Sequence, residues 1–334
     1  MRLQLGKVPP FILERYVLSR TGAKREDVIL GPSHGEDAAI IRIDDQLLAV
    51  ASDPVSGAVE RIGWLSVHVA TNDIATRGVR PNWFLSCIML PENSDEKILD
   101  NISQQIDEAA RLLGVSIIGG HTEVTPSLKH PLIMGTAIGL IEDGRFVTCS
   151  NAKPEGKIIL TKGAGIEGTA ILATDRASYI TKFGELFIEK AQSYFKKISV
   201  VDDALTAFNY GGVYSMHDPT EGGIAGGLHE IADASNLGFK VYEDKITINY
   251  ETSQICRFFE IDPLNLISSG SLLIVADNMK TKGILKELHE KGIRASLIGE
   301  MSENVENRVI FRKDGYEEYL PRPITDDLWK ALSK

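Results

Sequence analysis

Acidic side chains recur where a polypeptide could gather them around a cation. They stand beside Gly, Pro, Asn or Thr, near the end of a predicted strand or inside an apolar helix: Glu36, Asp37, Asp53, Asp73, Glu123 and Asp218. Hard divalent cations bind several carboxylate oxygens, and Mg²⁺ is commonly shared between a few carboxylates and substrate phosphates. Acids are also common at turns, so spacing alone is weak evidence for the metal site that it predicts.

The segment Arg61–Pro81 predicts one of the elements that would position these acids. Its sequence, RIGWLSVHVATNDIATRGVRP, is apolar over most of a helical circumference and predicts a buried helix. A polar stripe that includes Asn72 runs along this helix, with Asp73 beside it. A buried carboxylate is costly unless it is paired or binds a metal. Asp73 is therefore predicted either as a metal ligand or as the ion-pair partner of Arg77, one turn away.

The most specific motif is the run HDPTEGG from His217 to Gly223. Pro219 restricts the chain after a predicted strand, and Thr220 is expected to cap the following helix. Gly222 and Gly223 allow backbone or ligand to approach closely. A well-capped strand–helix turn would explain the same residues, but we interpret the motif as a functional turn.

Two further patterns resemble known motifs and fail in detail. Gly163–Gly168 has the spacing GxGxxG after a strand, but no second strand ending in an acid follows, and no Lys completes a P-loop. What remains is a glycine turn whose amides could face an anion. His229-Glu230 begins the zinc motif HExxH, but the fifth position is Asp233. His229 is therefore predicted to be a partly exposed helical histidine.

Composition and charge restrict the class of protein. The 334 residues suffice for two domains, and 43% of them are hydrophobic. A net charge of −10 argues against nucleic acid as a bulk partner, because the chain has no basic field to attract phosphates. No apolar run approaches the ~18 residues of a membrane span, and the N-terminus lacks a signal peptide's apolar core. Cys87, Cys149 and Cys256 form no CxxC, so we expect them to pack in the core of a cytoplasmic protein.

The elements that carry the motifs are predicted to form two domains. The polar stretch NAKPEG marks the boundary, which divides the chain into residues 1–150 and 151–334. In the first domain, strands and helices of different spacing indicate an α+β fold, and the short strand Val115–Ile118 runs into a loop at Gly119–Glu123. In the second domain, strands and helices indicate an α/β fold that ends in a short helix at Asp326–Leu332.

Six motifs, in the order in which the chain presents them, resemble those of one superfamily. They are Gly35-Glu36-Asp37-Ala38-Ala39, Ser52-Asp53-Pro54, Thr71-Asn72-Asp73-Ile74-Ala75, Gly119-Gly120-His121-Thr122, Lys153-Pro154-Glu155-Gly156 with the glycine turn, and His217–Gly223. The superfamily contains aminoimidazole-ribonucleotide synthetase (PurM), the hydrogenase maturation factor HypE, selenophosphate synthetase and thiamine-monophosphate kinase. The resemblance is strongest to HypE.

The resemblance implies a PurM-like N-terminal domain that dimerises through its sheet and a PurM-like C-terminal α/β domain. It implies that the homodimer binds ATP in a cleft near the dimer interface and holds the phosphates through Mg²⁺. The implied metal ligands are Glu36, Asp37, Asp53, Asp73 and Glu123. The implied cofactor-binding residues are Asn72, Gly119, Gly120, Thr122, His217, Thr220, Gly222 and Gly223, and the implied catalytic residues are Asp73, His121 and Asp218.

Three departures from the family pattern bear on these roles. Glu36 replaces an Asp, which a metal site tolerates. His121 stands where HypE-like and kinase members carry Asp, and we expect Glu123 to compensate. HypE ends in Pro-Arg-x-Cys, whose thiol carries the group to be dehydrated, whereas Pro321-Arg322 is followed here by Pro323-Ile324 and no Cys.

The sequence therefore predicts an ATP- and Mg²⁺-dependent, HypE-like enzyme of hydrogenase or cofactor maturation. It would activate an amide or carbamoyl-type oxygen on a small-molecule or protein-bound acceptor. Two alternatives stay open, a small-molecule kinase like thiamine-monophosphate kinase and a non-catalytic ATP-binding maturation partner.

Overall fold

The computed structural model describes residue 3, residues 5–58 and residues 60–334. These residues fall into two units, each described by itself. The larger unit contains the described residues of 1–25, together with Pro32–Asp37 and Val147–Lys334. The smaller unit contains Glu26–Gly31 and Ala38–Phe146. The loop segment Pro32–Asp37 thus joins the C-terminal half of the chain, and the predicted division at residue 150 stays a prediction.

The helices and strands are numbered in chain order. The helices are α1 Pro10–Leu13, α2 Ile62–Thr76, α3 Glu96–Leu113, α4 Ile166–Asp175, α5 Glu185–Gln192, α6 Val201–Tyr210, α7 Gly223–Ser235, α8 Tyr250–Phe259, α9 Asn278–Glu290 and α10 Asp327–Leu332. The strands are β1 Val28–Leu30, β2 Ala39–Ile43, β3 Gln46–Val55, β4 Trp83–Leu90, β5 Ser116–Val124, β6 Leu132–Ile141, β7 Lys157–Thr161, β8 Val213–His217, β9 Gly238–Tyr242, β10 Leu273–Ala276, β11 Ala295–Ser302, β12 Arg308–Phe311 and β13 Glu317–Tyr319.

The smaller unit is built on a six-stranded sheet in the order β1-β2-β3-β6-β4-β5. Only β4 and β5 pair in parallel, and the other neighbours are antiparallel. Helix α2 packs on β3 and β6 and against α3. The approach is close enough to require glycine, because a Cβ on Gly135 of β6 would lie 2.5 Å from the carbonyl oxygen of Ser66 in α2. As predicted, α2 is buried around most of its circumference.

The larger unit contains a seven-stranded sheet in the order β13-β12-β9-β11-β7-β10-β8. Its core is formed by apolar residues of β7, β9, β10 and β11 and of α7, among them Ile158, Leu228, Phe239 and Ile298. This arrangement confirms the predicted two-domain α+β and α/β fold class. Within the described part of the chain, no helix combines the length and apolar character needed to cross a bilayer.

One strand is longer than predicted, and its position matters for the site. The run Gly119–Glu123 was expected in a loop, but it lies within β5. This strand is at one edge of the six-stranded sheet, and all nine of its residues are exposed. The local sequence misled the prediction because adjacent glycines usually weaken a strand. A Cβ on Gly120 would lie 2.0 Å from the carbonyl oxygen of Ser86 on β4, so glycine is required by the close approach.

Candidate functional site

Three possible metal ligands come together in the larger unit. Asp37, His217 and Asp218 each offer a ligand atom within 4.8 Å of the others, and no other such group of three occurs among the described residues. His217 is the last residue of β8 and Asp218 follows it. Both are buried, whereas Asp37, in the loop between β1 and β2, is partly exposed. The fold thus joins two motifs that lie far apart in the sequence.

The glycines after Asp218 turn the chain from β8 into α7. Gly222 and Gly223 have φ of 87° and 60°, a left-handed conformation that side chains other than glycine rarely adopt. A Cβ on Gly223 would also lie 2.5 Å from the carbonyl oxygen of Leu264. These constraints require glycine in the turn through which the chain passes from Asp218 into α7.

The predicted cap of α7 is wrong. Gly222 is the N-cap residue, and Thr220 makes no capping hydrogen bond. The amide of Gly222 instead donates to Oδ2 of Asp326 at 2.6 Å. A carboxylate from the C-terminal segment therefore does what a local threonine was expected to do.

Both ring nitrogens of His217 are hydrogen-bonded to carboxylates. Nδ1 lies 2.9 Å from Oδ2 of Asp37, and Nε2 lies 2.7 Å from Oε2 of Glu230. Burial lowers the pKa of His217, but the two carboxylates outweigh burial and raise the pKa to about 10. The ring is therefore an imidazolium that donates both of its protons. It leaves neither nitrogen available to a metal.

Glu230 links this ring to the N-terminal segment, and the sequence offered only a weak sign of it. Its second oxygen, Oε1, lies 2.8 Å from Nζ of Lys7. Burial raises the pKa of Glu230, but Lys7 and His217 more than reverse this effect and hold it well below its usual range. Glu230 belongs to the incomplete zinc motif that begins at His229. Its spacing of 13 residues from His217 follows no local periodicity.

Glu36, predicted as a metal ligand, is hydrogen-bonded through both carboxylate oxygens, and its role as a ligand stays a prediction. Its Oε2 accepts a hydrogen bond from the amide of Cys149, and its Oε1 accepts from the amide and hydroxyl of Ser150. Glu36 thus anchors its loop to the segment that begins the C-terminal half. It does not belong to the group formed by Asp37, His217 and Asp218.

The remaining predicted site residues lie in the smaller unit. Asp53 is on β3, and Asn72 and Asp73 are buried in α2. The others lie on the exposed strand β5, namely Gly119, Gly120, His121, Thr122 and Glu123.

On that strand, His121 and Glu123 point the same way. Nε2 of His121 lies 3.2 Å from Oε2 of Glu123, whose other oxygen accepts from the hydroxyl of Thr125. The hydrogen bonds from Thr125 and His121 lower the pKa of Glu123. Alternate residues of a strand share a face, so this pair forms one polar patch.

Two sequence-based predictions outside the metal site are wrong. The glycine turn does not offer its amides to an anion, since Ala164 donates to the carbonyl of Thr247 and Gly165 donates to the hydroxyl of Ser268. His229 is buried instead of partly exposed, and burial lowers its pKa to about 4. Its Nε2 donates to the carbonyl of Leu320.

Family models match both halves of the chain. The model for the N-terminal domain of AIR synthase related protein matches residues 35–141, and the model for the C-terminal domain matches residues 153–312.

Named relatives cover most of the chain. The carbamoyl dehydratase HypE of Rhizobium leguminosarum bv. viciae is 31% identical over 245 residues, 71% of this chain and 67% of the relative. The thiamine-monophosphate kinase of Pyrococcus horikoshii is also 31% identical over 245 residues, 71% of this chain and 74% of the relative. A protein of Methanocaldococcus jannaschii, whose name associates it with hydrogenase expression and formation, is 28% identical over 302 residues, 88% of each chain.

Solved structures share the fold. A chain from a HypE–HypF complex superposes with a TM-score of 0.77 at 23% identity, over 94% of this chain and 100% of that one. HypE in complex with ATP superposes with a TM-score of 0.72 at 23% identity, over 94% and 91%. Taken with the two family models, these similarities show that the chain belongs to the AIR synthase-related superfamily.

Proposed function

We propose that the chain is an ATP- and Mg²⁺-dependent enzyme related to HypE, in which ATP activates an amide or carbamoyl-type oxygen during cofactor maturation. The observation that carries the proposal is the group of Asp37, His217 and Asp218 in the larger unit. Two similarities support the reaction class. One is the relative named carbamoyl dehydratase HypE, and the other is the shared fold of a HypE solved in complex with ATP.

The donor atoms of this group suit a hard cation. Asp37 and Asp218 contribute carboxylate oxygens, which are the ligands that Mg²⁺ prefers. His217 keeps both ring nitrogens on carboxylates, so its charge orients Asp37 instead of binding the metal. We therefore assign Asp37 and Asp218 as ligands and His217 as the residue that holds Asp37 in place.

Such a site needs no protein nucleophile. Phosphoryl transfer depends mainly on positioning and on neutralising charge, with little covalent chemistry for the protein to perform. When bound, Mg·ATP would supply an electrophilic phosphoryl group that turns an amide-type oxygen into a good leaving group. The carboxylates of Asp37 and Asp218 would hold the metal-bound phosphates, and the buried ring of His217 would keep Asp37 from rotating away.

We assign the residues of the smaller unit by their match to the family motifs. Asp53 and Asp73 are proposed as further metal ligands, with Asn72 beside Asp73 on α2. His121 and Glu123, which form one polar patch on β5, are proposed to face the acceptor or the phosphates. Gly120 lets β5 approach β4 so closely that this patch keeps its position.

We also propose a homodimer that forms through β5. An edge strand with nine exposed residues presents unpaired backbone groups, and proteins rarely leave such an edge uncovered. Ile117, Ile118 and Val124 add exposed apolar side chains to it. A second copy of the same strand is the simplest partner, because a two-fold contact is self-complementary.

A small-molecule kinase is the second candidate function. The thiamine-monophosphate kinase that is 31% identical to this chain favours it. Both reactions use the same metal-bound triphosphate, and they differ in whether the phosphoryl group stays on the product. A non-catalytic ATP-binding protein would share the binding residues and show no turnover.

The decisive experiment is incubation with Mg·ATP and candidate acceptors, followed by mass spectrometry of every product. ADP, phosphate and a dehydrated or ligated acceptor would support the proposed enzyme. ADP with a phosphorylated small molecule would instead identify a kinase. Tight ATP binding without turnover of any acceptor would favour the non-catalytic alternative.

The metal assignment is tested by calorimetric titration of Mg·ATP into variants. Asp37→Asn and Asp218→Asn should each weaken binding by at least about tenfold, because each removes a charged oxygen ligand. Asp202→Asn serves as the matched control, since Asp202 is an exposed carboxylate on α6. Binding by both site variants at the parental affinity would refute the assignment.

A further inference from the structure

The N-terminal segment contributes a lysine to a chain of alternating charges that ends at the candidate metal site. Nζ of Lys7 lies 2.8 Å from Glu230, Glu230 lies 2.7 Å from His217, and His217 lies 2.9 Å from Asp37. The four groups alternate as cation, anion, cation and anion. Each hydrogen bond in the chain is charge-assisted, which makes it shorter and stronger than a neutral one.

Exposure differs along this chain of contacts. The side chain of Lys7 is 47% exposed, whereas those of Glu230, Asp37 and His217 are 17%, 14% and 3% exposed. A half-exposed ion pair usually contributes little to stability, because solvent screens it and the long side chain loses entropy. Glu230 is mostly buried, however, and Lys7 helps to hold its pKa well below the usual range, so the contact also stabilises this buried carboxylate.

The ion pair between Lys7 and Glu230 also affects the hydrogen bonds of His217. Asp37 and Glu230 compete for the same imidazolium, one at each ring nitrogen. While Lys7 neutralises Glu230, the attraction between Glu230 and the ring is reduced. The hydrogen bond between the ring and Asp37 is then kept. Without Lys7, the full charge of Glu230 would draw the ring toward itself and weaken the hydrogen bond that orients Asp37.

We propose that Lys7 is a positioning residue that acts through Glu230 and His217 to hold Asp37 for metal-bound phosphate. The expected effect of Lys7 on Mg·ATP binding rests on the proposed function. The coupling from Lys7 to His217 stands on the geometry alone. The two parts can therefore be tested separately.

The first measurement is the ¹⁵N resonances of the His217 ring in full-length protein, assigned by their loss in His217→Gln. Lys7→Met should shift the ring resonances, and Lys7→Arg, which keeps the charge, should restore them. This readout requires no nucleotide. Ring resonances in Lys7→Met identical to those of the parent would overturn the inference.

The second measurement is calorimetric titration of Mg·ATP. Lys7→Met should weaken binding by the folded protein about five- to tenfold, and Lys7→Arg should bind nearly as the parent does. Lys286→Met is the matched control, because it breaks another exposed ion pair of the larger unit, with Glu290 on α9. Parental affinity in Lys7→Met would overturn the positioning role. If the parent does not bind Mg·ATP, the proposed function fails, and the ring resonances still decide whether Lys7 is coupled to His217.

Discussion

Asp326 accepts a hydrogen bond from the amide of Gly222 at 2.6 Å, although 104 residues separate the two. Its other oxygen accepts from the amide of Leu328 at 2.7 Å, so one side chain caps the starts of both α7 and α10. Burial raises the pKa of Asp326 to about 7 against the effect of these hydrogen bonds. The C-terminal segment therefore stabilises the turn that carries Asp218.

Replacement of this cap should cost stability in proportion to the acceptor that is lost. Asp326→Ala should lower the free energy of unfolding by about 1–2 kcal/mol, the usual cost of losing an N-cap. Asp326→Asn keeps an acceptor oxygen and should lose clearly less. Denaturant titration of the two variants measures the difference, and equal stability of Asp326→Ala and the parent would contradict the capping role.

Glu36 and Asp37 should respond differently to loss of charge, although they are neighbours. Glu36→Gln places an amide donor against the donors of Cys149 and Ser150 and should lower the free energy of unfolding by about 1–3 kcal/mol. The folded fraction should still bind Mg·ATP. Asp37→Asn should also lose stability, because it removes a charged partner of the buried His217, but its folded fraction should bind Mg·ATP more weakly than the parent does. Thermal unfolding and calorimetry on both variants distinguish the two roles, and equal affinity of the two folded variants for Mg·ATP would show that they share one.

Glu167 should make the stability of the protein depend on pH. Burial, reinforced by Asp326 and Glu221 and opposed by Ser269, raises the pKa of Glu167 from its usual 4.5 to about 7. An acid with a raised folded-state pKa destabilises the fold when it ionises, so stability should fall as the pH rises from about 4.5 to about 7.

Glu167→Gln should remove this loss. The free energy of unfolding of the variant minus that of the parent should be larger at pH 8 than at pH 5. The difference between the two pH values should be at most about 3 kcal/mol for a pKa shift of this size. Urea unfolding at the two pH values provides the test. Glu185→Gln on α5, where the side chain is exposed, should show no such difference. A Glu167→Gln effect that is the same at both pH values would mean that Glu167 ionises normally.

The exposed strand β5 should control the oligomeric state. Ile118→Asp places a charge on the proposed dimer edge and should convert the dimer to a monomer at micromolar concentration. Leu112→Asp is the control, because Leu112 is a similarly exposed apolar residue of the smaller unit, on α3. Sedimentation velocity distinguishes the species. A dimer that survives Ile118→Asp, or a parental monomer, would refute an interface at this edge.

Local patterns predicted much of the architecture. The all-round apolar character of α2 indicated a buried helix, as the structure shows. The last helix begins one residue after its cap, Asp326, as the Asp326–Leu332 prediction implies. Such features depend on spacings of one to four residues, which a single sequence displays directly.

Other predictions failed where a distant segment supplied the deciding contact. Thr220 was a plausible cap by position, but the amide of Gly222 donates to Asp326 instead. The amides of the glycine turn looked available, but Thr247 and Ser268 occupy them. His229 was expected to be partly exposed on its helix, and the chain near Leu320 covers it. No periodicity in the sequence records these approaches.

The sequence by itself indicated the superfamily, the two-domain fold class and, among the candidate site residues, Asp37 as a metal ligand, His217 as a cofactor-binding residue and Asp218 as a catalytic residue, because these reside in short motifs. Only the tertiary structure showed that both ring nitrogens of His217 are hydrogen-bonded to carboxylates. It also showed that one of these carboxylates, Glu230, is paired with Lys7. Lys7 and Glu230 are separated by 223 residues. Contacts at that separation are set by how the chain crosses itself to bury its core, and a single sequence carries no local signal of such a crossing.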